Sequence, residues 1–148
     1  MIGGTTINQI ANKLVKDFEV SEYQAKRLIR TEMSAIRSQA TKDSYRDLNI
    51  QRYQILATLD LRTSDICRRL DGEIFNISDY KVGITAPPFH PFCRSTTIPY
   101  IEGETDTGTR VARDPITGQT VRVNSKMKYQ EWFDMFVRIA KKLEELNN

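Results

Sequence analysis

The chain has 148 residues, a net charge of +3, 39% hydrophobic and 28% charged residues, two cysteines and one histidine. That length fits one domain with a single core, and the composition excludes a disordered polymer. No apolar run approaches the ~20 residues that span a bilayer, the N-terminal MIGGTTINQ lacks the basic and apolar regions of a signal peptide, and the charge is too small to hold nucleic acid by itself. A cytosolic protein is expected, with no membrane contact and with its cysteines kept as thiols or metal ligands rather than as a disulfide.

Ile7, Ile10, Ala11, Leu14, Val15 and Phe18 recur at helical spacing after Thr5 and Thr6, either of which can cap a first turn. Ser21 and Gln24 form a capping-box pattern that opens a longer helix to about Tyr45, with Ala25, Leu28, Ile29 and Ile36 as its apolar stripe. At 100° per residue Glu32 falls inside that stripe. Either its face is a solvated groove or it forms a buried ion pair, with Arg62 and Arg94 as candidate partners.

From Arg52, Tyr53, Ile55, Ala57 and Leu59 alternate with Gln54, Leu56 and Thr58, which predicts a strand. Thr63 or Ser64 can cap a short helix carrying Cys67; Asp71-Gly72 ends it, and Glu73 to Ile77 reads as a second strand. The loop APPFHPFC precedes RSTTIPYI, a further strand in which Pro99 suggests an edge or an end. Residues 103–124 predict a protruding hairpin about Asp114-Pro115. Ser125 can cap a last helix whose Tyr129, Trp132, Phe133, Phe136, Val137, Ala140 and Leu143 form a broad apolar face, expected to dock on the chain's own core. The expected fold is α+β: N-terminal helices and a C-terminal helix packed around a small, mostly antiparallel sheet. It is expected as one domain over 1–148, with the core in 1–102, the hairpin in 103–124 and the last helix in 125–148.

Cys67, His90 and Cys93 supply two sulfurs and an imidazole, a donor set suited to zinc, and the two-residue gap from His90 to Cys93 lets both turn toward one ion. A fourth ligand would have to be a carboxylate such as Asp60, Asp65 or Asp71. Cysteine–histidine catalysis is the weaker reading, because no nucleophile elbow, P-loop or dinucleotide fingerprint accompanies the pair. The expected role of PPFHPFCRS is architectural, with no cofactor and with zinc as the alternative. Three prolines remove amide donors, His90 and Arg94 serve unpaired carbonyls, and Cys93 packs beside Cys67.

The motifs Arg30-Thr31-Glu32, Asp60-x-Arg62-Thr63 before Cys67, Asp71-Gly72, and Pro87-Pro88-x-His90-Pro91-x-Cys93-Arg94 occur in this order. In that order they resemble the phage head morphogenesis proteins related to the F protein of phage Mu, and KMKYQEW extends the likeness toward the C-terminus. Many relatives have further cysteines where this chain has Leu70 and Ser95, which argues against a four-ligand zinc site here. The short N-terminal region suggests a truncated chain or a minimal prophage version. The resemblance implies a minor capsid protein of a phage or prophage, a structural binding module acting at the portal or procapsid during head assembly. It implies portal or other head proteins as partners, with assembly in the host cytoplasm and a final place in the virion. It also implies a shared structural polar cluster of Arg30, Thr31, Glu32, Asp60, Arg62, Thr63, Asp71, His90 and Arg94, and no established catalytic activity.

The last helix and a basic hairpin (Arg110, Arg113, Arg122) are the expected contact surfaces. Arg110, Arg113, Arg122, Lys126 and Lys128 could add weak DNA contact. The alternatives are an enzyme acting on nucleotide or nucleic acid through Glu32, Asp60, His90 and Arg94, or a toxin-delivery module, since some relatives carry fused toxin domains. Convergence of those four side chains on an open pocket would favour the enzyme.

Overall fold

The computed structural model describes residues 5–103 and 108–146. Thr6 and Gln9 form the capping box of α1 (Ile7–Phe18): the Gln9 amide donates to Thr6 Oγ1 at 3.3 Å and the Thr6 amide to Gln9 Oε1 at 2.7 Å. Ser21 and Gln24 do the same for α2 (Glu22–Asp47). The two helices close on Ala11, Ala25 and Ile29, with Leu14, Val15 and Val20 around them. Leu28 and Ile36, expected in the buried stripe, are 53% and 70% exposed. The reason is that α2 has two partners. Its first half meets α1 through Ala25 and Ile29, whereas its second half meets Tyr80 through Ser38 and Thr97 of the sheet through Tyr45. Ser38 lies about 180° around the helix from Ile29 at 100° per residue, so no single stripe runs its length.

The strand alternation is realised: in β1 (Arg52–Leu56) Tyr53 and Ile55 are buried, and Ala57 and Leu59 continue the inward row beyond it. β1 is central in an antiparallel sheet of order β2-β1-β3, with β2 at Ile74–Asn76 and β3 at Thr96–Tyr100. Pro99 therefore sits on an edge strand, where its missing amide leaves no gap in the ladder. Ser64 caps α3 (Asp65–Leu70), and Gly72, at φ +82°, makes the turn into β2.

β4 (Thr109–Arg113) and β5 (Thr120–Asn124) pair antiparallel about the Asp114-Pro115 turn. The hairpin does not protrude as expected. Leu59 bridges Ala112, and Leu59, Ala112 and Val123 pack with Tyr129, Trp132 and Val137 of the last helical segment. That segment runs α4 (Tyr129–Trp132), a π-helical stretch Phe133–Arg138, and α5 (Ile139–Leu146). Its first turn is opened by Lys128 with Glu131 and not by Ser125. The apolar face docks on the chain's own core, Trp132 being wholly buried; the Leu143 side chain lies outside the described residues. A further cluster unites Tyr45, Tyr53, Ile55, Tyr80 and Ala86, so the described residues distribute their core over three clusters instead of one.

Candidate functional site

Where the inward row of β1 ends, the chain turns tightly, with Thr63 N–H donating to Asp60 O at 3.3 Å. Asp60 is 5% exposed and gathers donors around its carboxylate. Oδ1 accepts from the Arg62 amide (3.0 Å), Thr63 Oγ1 (3.0 Å) and Arg94 Nη2 (2.8 Å), and Oδ2 from Arg94 Nη1. Burial alone would raise this carboxyl's pKa. The fork from Arg94 and the bonds from Thr63 and Arg62 outweigh it and hold the group at about 2. Tyr129 Oη donates to the Asp60 carbonyl at 3.0 Å, which ties the node to the last helical segment.

A second node forms around Asp71, whose side chain is wholly buried. Arg110 reaches it with Nη2 at 3.0 Å and Nη1 at 3.1 Å, the Ala57 amide donates to Oδ1 at 2.7 Å, and the Tyr129 amide donates to Oδ2 at 2.7 Å. Arg110 also donates to the Met127 carbonyl at 2.8 Å and to the Ala57 carbonyl. One carboxylate thus joins β1, the hairpin and the last helical segment. Arg110, expected in an exposed basic patch, is 8% exposed. The sequence held the signal: Arg110 and Ala112 share one face of β4, opposite Val123 and Val121, so an inward Ala112 turns Arg110 inward too.

The third node is the proline loop. Cys93 N–H donates to His90 O at 3.1 Å, closing a turn with Pro91 at its second position and Phe92 at φ 59° at its third, the pattern of a type II turn. The turn sets the first and fourth side chains on the same side, facing α3. His90 Nε2 lies 2.8 Å from Ser64 Oγ and 3.2 Å from Cys67 Sγ, and the two sulfurs are 3.6 Å apart. His90 Nδ1 is 2.8 Å from the Pro91 carbonyl. A carbonyl only accepts, so Nδ1 carries a proton and in the neutral ring the Nε2 lone pair faces the sulfurs. Cys67 hydrogen-bonds Cys93 and, with backbone bonds from Phe89 and Ser95, draws the Cys93 thiol down to about 5. The same contact and burial push the Cys67 thiol up.

The nine residues expected in one polar cluster therefore divide. Asp60, Thr63 and Arg94 form one node, Asp71 anchors another with Arg110, and His90 joins the cysteines. Arg30 and Glu32 are exposed. Glu32 makes no ion pair among the described residues, and Arg94, its candidate partner, is taken by Asp60. Arg62 contributes its backbone amide while its side chain is exposed, and Thr31 Oγ1 accepts from the Phe92 amide at 3.4 Å. Arg94 serves a carboxylate and not the loop carbonyls expected of it. Glu32, Asp60, His90 and Arg94 do not converge on an open pocket: Asp60 and Arg94 pair with each other, His90 turns to the cysteines, and Glu32 stands apart.

No helix among the described residues is long and apolar enough to cross a membrane. Compared with known proteins, the chain matches over residues 1–98 the family model described as phage Mu protein F like protein. The match contains all three nodes except Arg110, Met127 and Tyr129, and ends within β3. Neither the curated proteins nor the solved structures contain a match.

Proposed function

Because the chain belongs to the phage Mu protein F like family, we propose that it is a head morphogenesis protein, a minor capsid component that works by binding other head proteins at the portal or procapsid. The family match is the observation that carries this reading. The structure bears on which surface binds. The last helix and Arg110 are spent on the chain's own core. The two-helix arm instead leaves apolar surface in water: Leu14, Phe18, Val20, Ala25 and Leu28 line a groove of about 450 Å³, with Phe18 68% exposed. Contiguous exposed apolar surface of this kind suits an amphipathic helix of a partner. Arg113, Arg122, Lys126 and Lys128 stay exposed, and would support no more than a weak, salt-sensitive phosphate contact.

Co-expression with the head genes of its own phage or prophage, followed by affinity capture of the chain, tests this. The portal or another head protein should co-purify, and Phe18→Asp with Leu28→Asp should abolish capture without altering the far-UV spectrum. Recovery of no head protein by the wild-type chain would overturn the proposal. Undiminished capture by the double variant would overturn the choice of surface.

A further inference from the structure

Cys67, His90 and Cys93 come from two separate elements, yet their donor atoms all lie within 4.8 Å of one another. A tetrahedral zinc with Zn–S of about 2.3 Å and Zn–N of about 2.05 Å holds sulfur atoms about 3.8 Å apart and sulfur and nitrogen about 3.6 Å apart. The corresponding separations here are 3.6 Å between the sulfurs and 3.2 Å from Cys67 Sγ to His90 Nε2. The ring is already turned for coordination. Its Nδ1 is committed to the Pro91 carbonyl, the outer-shell bond that ordinarily fixes a ligating histidine in the Nε2 form.

The carboxylates considered as a fourth ligand are otherwise engaged. Asp60 is held by Arg94, Asp71 by Arg110, and Asp65 lies at the surface beside Arg68 with its side chain 79% exposed. Beside Cys67 and His90 is a cavity of about 30 Å³ lined also by Thr63, Ser64, Arg94 and Ser95. That space admits about one water molecule. Ser95, 8% exposed, lines it with a hydroxyl that is buried without a hydrogen-bond partner of ordinary geometry and lies beside both sulfurs. A hydroxyl placed in this way can donate to a sulfur or to a water in the cavity.

We infer that Cys67 Sγ, His90 Nε2 and Cys93 Sγ bind one zinc ion, with a water in the small cavity as the fourth ligand and the Ser95 hydroxyl bonded to that water or to a coordinated sulfur. Binding forms two Zn–S bonds and one Zn–N bond with both cysteines as thiolates, releases to solvent any proton still held on a sulfur, and changes no oxidation state. Two thiolates offset the charge of the ion, so the half-buried site is neutral. Thiolate and imidazole donors select zinc over magnesium or calcium. The ion would pin the proline loop to α3 at the point where the chain enters β3. This inference is independent of the binding role proposed above.

Full-length protein purified from cytosol under reducing conditions, with no metal added, should contain one zinc per chain by mass spectrometry of the metal. Exchange with Co²⁺ should give a thiolate-to-cobalt charge-transfer band together with tetrahedral d–d absorption. Cys93→Ser and His90→Gln should each weaken zinc binding by more than the ~10–100-fold that loss of an outer-shell partner costs. Cys93 is only half-buried, and the near-UV spectrum would report whether each variant is folded. Absence of zinc with a cobalt complex lacking the charge-transfer band would overturn the inference in the wild-type protein, whatever the variants do. So would stoichiometric zinc that both substitutions leave unchanged, or a Cys67–Cys93 disulfide in protein kept at a cytosolic glutathione poise.

Discussion

Replacing Asp71 by alanine removes the acceptor for four donors at once. It leaves Arg110, whose side chain is 7% exposed, as an uncompensated buried cation, and it orphans the amides of Ala57 and Tyr129. Breaking a buried ion pair from one side costs about 3–5 kcal/mol, and each stranded amide adds about 1 kcal/mol in a sum that is not strictly additive. The expected loss is therefore about 4–6 kcal/mol, against a total stability of about 5–15 kcal/mol for a domain of ordinary stability. Urea unfolding followed by the fluorescence of Trp132, the single tryptophan and wholly buried in the core, measures it directly. A companion variant separates the charge from the geometry. Asp71→Ala combined with Arg110→Met removes the stranded cation and should recover at least ~2 kcal/mol relative to Asp71→Ala alone. A single-variant loss below ~1 kcal/mol, or a double variant no more stable than Asp71→Ala, would refute the reasoning that this ion pair holds strand, hairpin and last helix together.

The Asp60 carboxyl moves from an ordinary 3.8 to about 2 in the fold. A folded value below the unfolded one stabilises fully above pH ~4, and the contribution fades as pH falls toward 2. The Arg94 side chain is 39% exposed, so screening reduces the contribution to roughly 1–2 kcal/mol. The stability difference between wild type and Arg94→Ala should shrink by that amount between pH 5 and pH 2 in urea titrations, and a constant difference would contradict it. Gly72→Ala should cost about 1–2 kcal/mol, because φ is +82° there and the new Cβ would lie 2.6 Å from Lys128 Cε, a flexible atom that can move aside. Calorimetry of Gly72→Ala with and without Lys128→Ala checks the division: a loss removed by trimming Lys128 would assign the cost to the contact and not to the backbone.

Features encoded locally are legible in the amino-acid order itself. Thr5-Thr6, Ser21 with Gln24, and Thr63-Ser64 announce their helices because a cap acts over three residues, and the structure selects Thr6 and Ser64 from the two pairs. Tyr53 to Leu59 announce an inward row because a strand alternates with period two. Pro99 announces an edge through its missing donor. Features that depend on long-range choice are not legible in this way. Glu32 looks central only if α2 packs along one stripe, and the change of partner between Ile29 and Ser38 leaves Glu32 in water. Arg94 and Glu32 look like partners because both are charged and both belong to shared motifs, but Asp60 offers a carboxylate already backed by Thr63 and the Arg62 amide. Charge assigns Arg110 to the surface, although β4 alternation carries it inward to an aspartate 39 residues earlier in the chain. The convergence of Cys67 with His90 and Cys93 requires the turn at Pro91-Phe92, whose positive φ at a phenylalanine no composition rule supplies.

Membership of the family makes incorporation into a phage head the central claim, and gradient-purified particles measure it most directly. Induction of the phage or prophage that encodes this chain, followed by quantitative mass spectrometry of its procapsids and filled heads, should find the chain at a small number of copies per particle. Particles assembled with Phe18→Asp and Leu28→Asp in the chain should lack it. Heads that carry none of the wild-type chain at any stage of assembly would contradict the account.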